Sequence, residues 1–303
     1  MGKVYECIVI GAGIAGLQAA IQLGRYQHEV LIIDSEAGRS TLCRNYHNLL
    51  GWPDGVSGQT LRDLGKKQAE SYGVPFVTDK VENAITDKNI FLLKTTNGQT
   101  YQAKRVLLAT GISDRIPEIP NLKPCLGLTI FVCPDCDGYE VKNKKVLVLG
   151  AGSAGASLAL TLTYWTKDIT YINHEAEDIE DKLQKKLSKK GIKYVREKIN
   201  EVLTEKESSF KGVLLESGQT IKADRAFIAF GGNKVHSELA KQLGVERLEN
   251  KHLLVDPRTK ETNVPNVWAA GDIVAHSEQV SIAMGDGCQA AIWIHKSIMS
   301  GNE

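Results

Sequence analysis

Two stretches of the chain repeat one pattern of apolar and small residues. Residues 7–10 and 146–149, CIVI and VLVL, are uninterrupted apolar runs, the pattern of a parallel strand buried on both faces. Each runs into GxGxxG and then into a helix-length stretch rich in Ala and Leu. A second apolar run follows, VLIID at 30–34 and ITYIN at 169–173. Residues 7–24 and 146–163 align at an offset of 139 positions. The predicted order is strand, glycine turn, helix, strand, twice over. That is the dinucleotide-binding fingerprint in its required context.

The spacing assigns each glycine a task. Gly11 and Gly150 permit the tight turn, Gly13 and Gly152 let backbone approach a pyrophosphate, and Gly16 and Gly155 let helix pack close on strand. The helix N-terminus behind them offers free N–H groups to phosphate. Without a ligand the same residues would be glycine-rich turns and no more. Asp34 closes the first copy, at the strand end where a carboxylate accepts from ribose hydroxyls. The second copy has Asn173, His174 and Glu175 there, followed by Glu177, Asp178, Glu180 and Asp181. A phosphate dianion brought to those acids is repelled, so the second site reads as poor for NADPH. The same acids also suit the first turn of a following helix that ends at Gly191.

Composition narrows the class. The 303 residues suffice for about two domains. Apolar residues make up 42% and charged residues 24%, a globular balance. Lys plus Arg is 37 and Asp plus Glu 36, which leaves no electrostatic reason to expect nucleic acid or an anionic membrane as partner. Six cysteines are too few for a disulfide scaffold. The N-terminus lacks a cleavage pattern, and Met1-Gly2 is followed by Glu6 where myristoylation wants Ser or Thr. The uncharged stretch 146–166 imitates a membrane span, but its glycines and its copy at 7–24 argue against one. The expectation is a soluble, cytoplasmic protein.

Three further motifs carry chemistry. VLLATGISD (106–114) and VWAAGD (267–272) end strands in small-residue turns, and CPDCDG (133–138) holds a CxxC pair. A CxxC serves as a redox dithiol or as half a zinc site. Zinc needs two more ligands, and only Cys125 is near in sequence; a purely structural disulfide suits a reducing compartment badly. The redox reading is favoured and no metal is expected.

CxxCDG just before a second GxGxxG, with ATG upstream and GD in the last quarter, resembles the low-molecular-weight thioredoxin reductase family along essentially the whole chain. YHNLLGWPDGVSG (46–58) and CPDCDGYE resemble its atypical branches, which include dithiol oxidases. The resemblance implies an α/β fold of two Rossmann-like dinucleotide-binding domains, the second inserted into the first: 1–114 with 236–303 for FAD, and 115–235 for the NAD(P)-like domain carrying CxxC. It implies FAD held by Gly11, Gly13, Ala15, Gly16, Asp34, Asn48, Thr110, Gly111, Gly271, Asp272, Gln279 and Val280, with a helix beginning near Gln279. It makes Cys133 the exchange nucleophile, Cys136 flavin-proximal and Asp137 a proton donor or acceptor. It also implies a homodimer and a thioredoxin-like protein or small disulfide or dithiol as substrate. Gly150, Gly152, Gly155 and Glu175 are the candidate second nucleotide site. The family's arginine set after the second strand is missing, so NADH, NADPH, another protein donor and oxidation of a dithiol by oxygen all stay open. Cys7, Cys43, Cys125 and Cys288 read as packing residues, His47 as a residue beside the flavin or a plain hydrogen-bonding one, His276 as a loop residue, and Tyr164-Trp165 as a packed pair.

Overall fold

The computed structural model describes residues 3–301; Met1-Gly2, the position tested for lipidation, lies outside the described residues. Among the described residues there are seven α-helices: α1 (Ile14–Arg25), α2 (Gly58–Ser71), α3 (Pro134–Asp137), α4 (Gly152–Leu162), α5 (Asp181–Lys189), α6 (Glu238–Gln242) and α7 (Val280–Ser300). None is long and apolar enough to cross a membrane. The uncharged stretch that imitated a span is instead the strand Val146–Gly150 and helix α4.

The chain divides into two compact units. The first takes residues up to Thr41, Ser57–Ser113 and Lys234 onward; the second takes Leu42–Val56 and Asp114–Asn233. Leu42–Val56, expected with the first domain, therefore groups with the second unit. Arg44 donates to the Pro124 carbonyl at 3.1 Å, and Gly127 lies so close to the backbone of Leu42 and Arg44 that a side chain there would collide.

Each unit is built on a five-stranded parallel sheet with its glycine-motif strand in the middle. In the first the order is Val267–Ala269, Val106–Leu108, Cys7–Ile10, Val30–Asp34, Phe76–Thr78. In the second it is Ile130–Phe131, Arg225–Ala229, Val146–Gly150, Ile169–Asn173, Lys193–Val195. The motif strands are wholly buried because apolar layers cover both faces: Val9 and Leu107 belong to one core of the first unit and Ile8 and Leu108 to the other. The second unit repeats this, with Leu147 and Val148 in separate cores. A smaller sheet accompanies each, Val4–Tyr5, Thr100–Ala103, Ile90–Thr95 and Val81–Asp87 in the first, and Ile199–Glu205, Ser209–Leu215 and Thr220–Lys222 in the second.

Candidate functional site

In the first unit the registers align the carboxyl ends of four strands. Ile10 pairs with Ile33 on one side and Leu108 on the other, and Leu108 pairs with Ala269. The predicted Gly11 turn, Asp34, Thr110-Gly111 and Gly271-Asp272 all leave the sheet at this edge, the ligand edge of open α/β sheets. The motifs also touch. A Cβ on Gly11 would meet the Ala109 carbonyl, one on Gly16 would collide with the Gly11 carbonyl oxygen, and one on Gly271 would stand 2.8 Å from the Ala15 Cβ. At Gly13 a Cβ would meet nothing within 4 Å, so the mouth of the turn is open. Gln279 caps α7, which starts at Val280 as expected.

The side chains around this edge are tied by charge. Asp34 accepts from the Ala12 N–H at 2.9 Å and pairs with Arg62 at 2.9 Å. Arg62 (8% exposed) buries its other terminal nitrogen, Nη1, without a hydrogen-bond partner, and Ser40 (9%) does the same with its hydroxyl oxygen. Both flank Gly38, whose would-be Cβ lies against Arg62 and 3.6 Å from the Ser40 oxygen. Asp272 and Glu278 are held by Arg39 at 3.1 and 2.6 Å. Beneath the Gly271 turn, Asp286 (4% exposed) accepts from the Gly271 N–H, from His276 at 2.5 Å and from Lys260 at 2.8 Å. His276, read as a loop residue, is thereby anchored, with its other ring nitrogen 2.9 Å from the Ser277 carbonyl oxygen. Its hydrogen bond to Asp286 raises its pKa above the ordinary histidine value, against burial. Burial pushes Asp286 up, but the His276 and Lys260 hydrogen bonds outweigh it and hold the carboxyl below its usual range. Arg39, Arg62, Lys260 and Asp286 are missed from sequence, because pairing across 26 to 239 positions leaves no local signal, and Ser40 because burial of a lone hydroxyl leaves none either.

In the second unit Cys133 and Cys136 are joined as a disulfide, with Cα atoms 5.3 Å apart. Proline at the first position starts the short helix α3, whose turn returns the Cys136 N–H to the Cys133 sulfur at 3.1 Å. That donor stabilises negative charge on Cys133. Burial raises the Asp137 pKa from 3.8 to about 7, with Glu140 adding like-charge repulsion. Trp165 packs on Gly138, and Tyr164 stands edge-on to the Trp165 ring at 5.1 Å as the expected pair, though it is itself 84% exposed.

The second glycine turn is built like the first but closed. Asn173 takes the place of Asp34 and accepts from the Gly152 N–H at 3.1 Å. A Cβ on Gly152 would meet the Glu177 carboxylate at 2.9 Å and the Asp178 carbonyl oxygen at 3.1 Å. Glu177 and Asp178 thus stand against the turn at which Gly152 is expected to let backbone approach a pyrophosphate. Glu175 is turned away into an ion pair with Arg115 at 2.7 Å. Helix α5 starts only at Asp181, so the acids at 175–180 form the covering loop rather than a helical first turn.

Asn48 lies in Leu42–Val56, which groups with the second unit, and His47 bonds Asn45 at 3.0 Å. Thr110 donates to the His236 carbonyl at 2.6 Å. Cys7 and Cys125 are buried, and Cys43 and Cys288 half-buried. Among the described residues no cluster of three or more His, Cys, Asp or Glu side chains is arranged to hold a metal.

Comparison with known proteins decides the family. The model of the pyridine nucleotide-disulphide oxidoreductases matches residues 5–287. The chain belongs to that family. Within it the chain is a thioredoxin-reductase-like FAD oxidoreductase, an enzyme of the disulfide-reductase class. Thioredoxin reductase of Coxiella burnetii is 31% identical over 99% of this chain and 98% of its own length. A putative thioredoxin reductase, TrxB, from Bacillus anthracis superposes with a TM-score of 0.85 at 27% identity, covering 99% of this chain and 100% of its own. The bifunctional thioredoxin reductase/thioredoxin of Mycobacterium leprae is 29% identical over 95% of this chain, which spans 65% of that protein's length. The family implies a flavin and a nicotinamide cofactor. The first unit fits a flavin nucleotide: an open Gly13 mouth, the Asp34 carboxylate, and the unpartnered Ser40 and Arg62 donors for phosphate or ribose oxygens. The second unit fits a nicotinamide nucleotide poorly, because the Glu177 carboxylate stands against its glycine turn.

Proposed function

We propose that this protein is a FAD-dependent thiol-disulfide oxidoreductase in which the Cys133–Cys136 pair exchanges an electron pair with the flavin and with a substrate disulfide or dithiol. The observation that carries it is the joined CxxC, with a backbone N–H on the Cys133 sulfur and a carboxyl of raised pKa next in sequence to Cys136. Gly11, Gly13, Ala15, Gly16, Asp34, Ser40, Arg62 and Asp272 would hold FAD, which when bound supplies a two-electron couple. Val280, at the start of α7, adds helix N–H groups to that set. Thr110, Gly111 and Gln279 belong to the same candidate set, and Asn48 is kept as a candidate on the resemblance.

The chain's own steps balance as follows. Two electrons and two protons open the Cys133–Cys136 bond to two thiols. The Cys133 thiolate, favoured by the Cys136 N–H, attacks one sulfur of the substrate disulfide and releases the other as a thiol. Cys136 then attacks the mixed disulfide, releasing the second substrate thiol and restoring the Cys133–Cys136 bond. Asp137, protonated in about half of molecules at pH 7, donates a proton to a leaving thiolate. Run in reverse, the same steps oxidise a dithiol. Substrates of the right chemistry are a thioredoxin-like protein or a small disulfide; the fused Mycobacterium leprae relative bears thioredoxin in its own name. We take the protein as a homodimer, as the resemblance implies, and as cytoplasmic, as the sequence suggests. Cys133→Ser and Cys136→Ser should each abolish turnover of a disulfide with chemically reduced flavin; full turnover in either variant would rule out the dithiol route.

A further inference from the structure

We infer that the second dinucleotide fold of this chain is closed to nicotinamide nucleotides by its own Glu177. The inference is independent of the thiol chemistry above, since it concerns only what the second glycine turn can admit.

The duplication supplies an internal control. Both copies have the same strand, the same GxGxxG and a side-chain oxygen accepting from the turn, Asp34 on Ala12 and Asn173 on Gly152. They differ at the middle glycine, in backbone and in surroundings: Gly13 precedes α1 with φ −70°, whereas Gly152 is the first residue of α4 with φ +46°. A Cβ on Gly13 would stand in open space, whereas one on Gly152 would meet the Glu177 carboxylate at 2.9 Å and its Cβ at 3.1 Å. The position a pyrophosphate needs is filled by a group of its own charge.

The loop carrying Glu177 is fastened from several sides. The Asn173 amide donates to the Glu177 carbonyl at 2.6 Å, and the Glu180 N–H donates to the Ser153 hydroxyl at 3.1 Å. Arg196 donates to the Ala176 carbonyl and pairs with Asp178 at 3.1 Å. At the loop's entry His174 accepts from the Ile199 N–H at 2.8 Å. Beside α4 a cavity of about 180 Å³ remains, lined by Arg115, Val132, Ala154, Leu158, Phe230 and Asn233. Neither NADH nor NADPH is then the immediate reductant of this protein.

The test titrates the FAD-loaded protein with NADH and with NADPH, reading binding by calorimetry and flavin absorbance under anaerobic conditions. Wild type should show no saturable binding tighter than about 1 mM and no bleaching of the flavin. Glu177→Ala should bind at least one nucleotide at least about tenfold more tightly. Glu177→Gln, which keeps the bulk and removes the charge, should gain less. Micromolar binding or stoichiometric bleaching in wild type would overturn the inference. So would the absence of any gain in both variants when their flavin content and melting temperature match wild type. A dithionite arm separates the two readings: dithionite-reduced flavin that leaves Cys133–Cys136 intact contradicts the thiol chemistry and says nothing against the closed turn.

Discussion

Asp137 offers the sharpest handle on the chemistry. An ordinary aspartate at 3.8 is protonated in only about one molecule in 1,600 at pH 7, whereas burial, helped by Glu140, raises Asp137 to about 7 and protonates half. A proton donor matched to working pH is worth typically 10²- to 10⁴-fold in rate. Asp137→Asn should therefore slow single-turnover exchange between the reduced CxxC and a disulfide by about two orders of magnitude or more. In wild type that rate should fall as pH rises through about 7, and the variant should lose this limb. Glu140→Gln removes a like charge, so the midpoint should move to lower pH. The stability sign is opposite to the usual carboxylate. With the folded value raised, the contribution of the protonated group is whole below 3.8 and is lost as pH rises through about 7. Asp137→Asn should accordingly be the more stable protein above pH 7. An Asn variant with the wild-type limiting rate and pH profile would refute the reasoning.

Other predictions concern the first unit. Gly16→Ala pushes a methyl into the Gly11 carbonyl, so the purified protein should lose its flavin, read as the visible-to-280 nm absorbance ratio; full flavin content would contradict the packing. Asp286→Ala leaves Lys260 and His276 without their buried counter-charge and should cost about 3–5 kcal/mol, measured from denaturant midpoints. Because the His276 pKa is raised, its stabilisation is whole below pH 6.5 and fades as pH climbs through the higher folded value. Asp286, held low, contributes from above 3.8 and loses that only as pH falls through its lower folded value. Wild-type stability should thus decline on the alkaline side of 6.5, and Asp286→Asn should flatten that slope.

What could be read from the chain, and what could not, divides along the range of the interactions. The two glycine turns were legible because CIVI and VLVL are all-apolar strands and the glycines follow within six residues. The edge at which Gly11, Thr110 and Gly271 gather was legible because parallel sheets place their carboxyl ends together. Asp34 was legible as an acceptor, but its partner Arg62 lies on another helix, 28 positions on. The Glu175–Asp181 acids showed that the second site was wrong for a phosphate, though not that Glu177 would sit on Gly152, which depends on how Asn173, Ser153 and Arg196 fasten the loop. Tyr164 read as packed because an aromatic pair on a helix end usually is; Trp165 alone takes the surface offered by Gly138.

The most direct test of the account counts thiols during anaerobic reduction of the FAD-loaded protein. Dithionite is added in steps while flavin absorbance and free thiols, trapped by an alkylating reagent and located by mass spectrometry, are followed together. Full reduction should consume four electrons per chain, and two new thiols should appear, on Cys133 and Cys136 alone. Flavin bleached at two electrons per chain, with the Cys133–Cys136 disulfide still intact, would contradict the account.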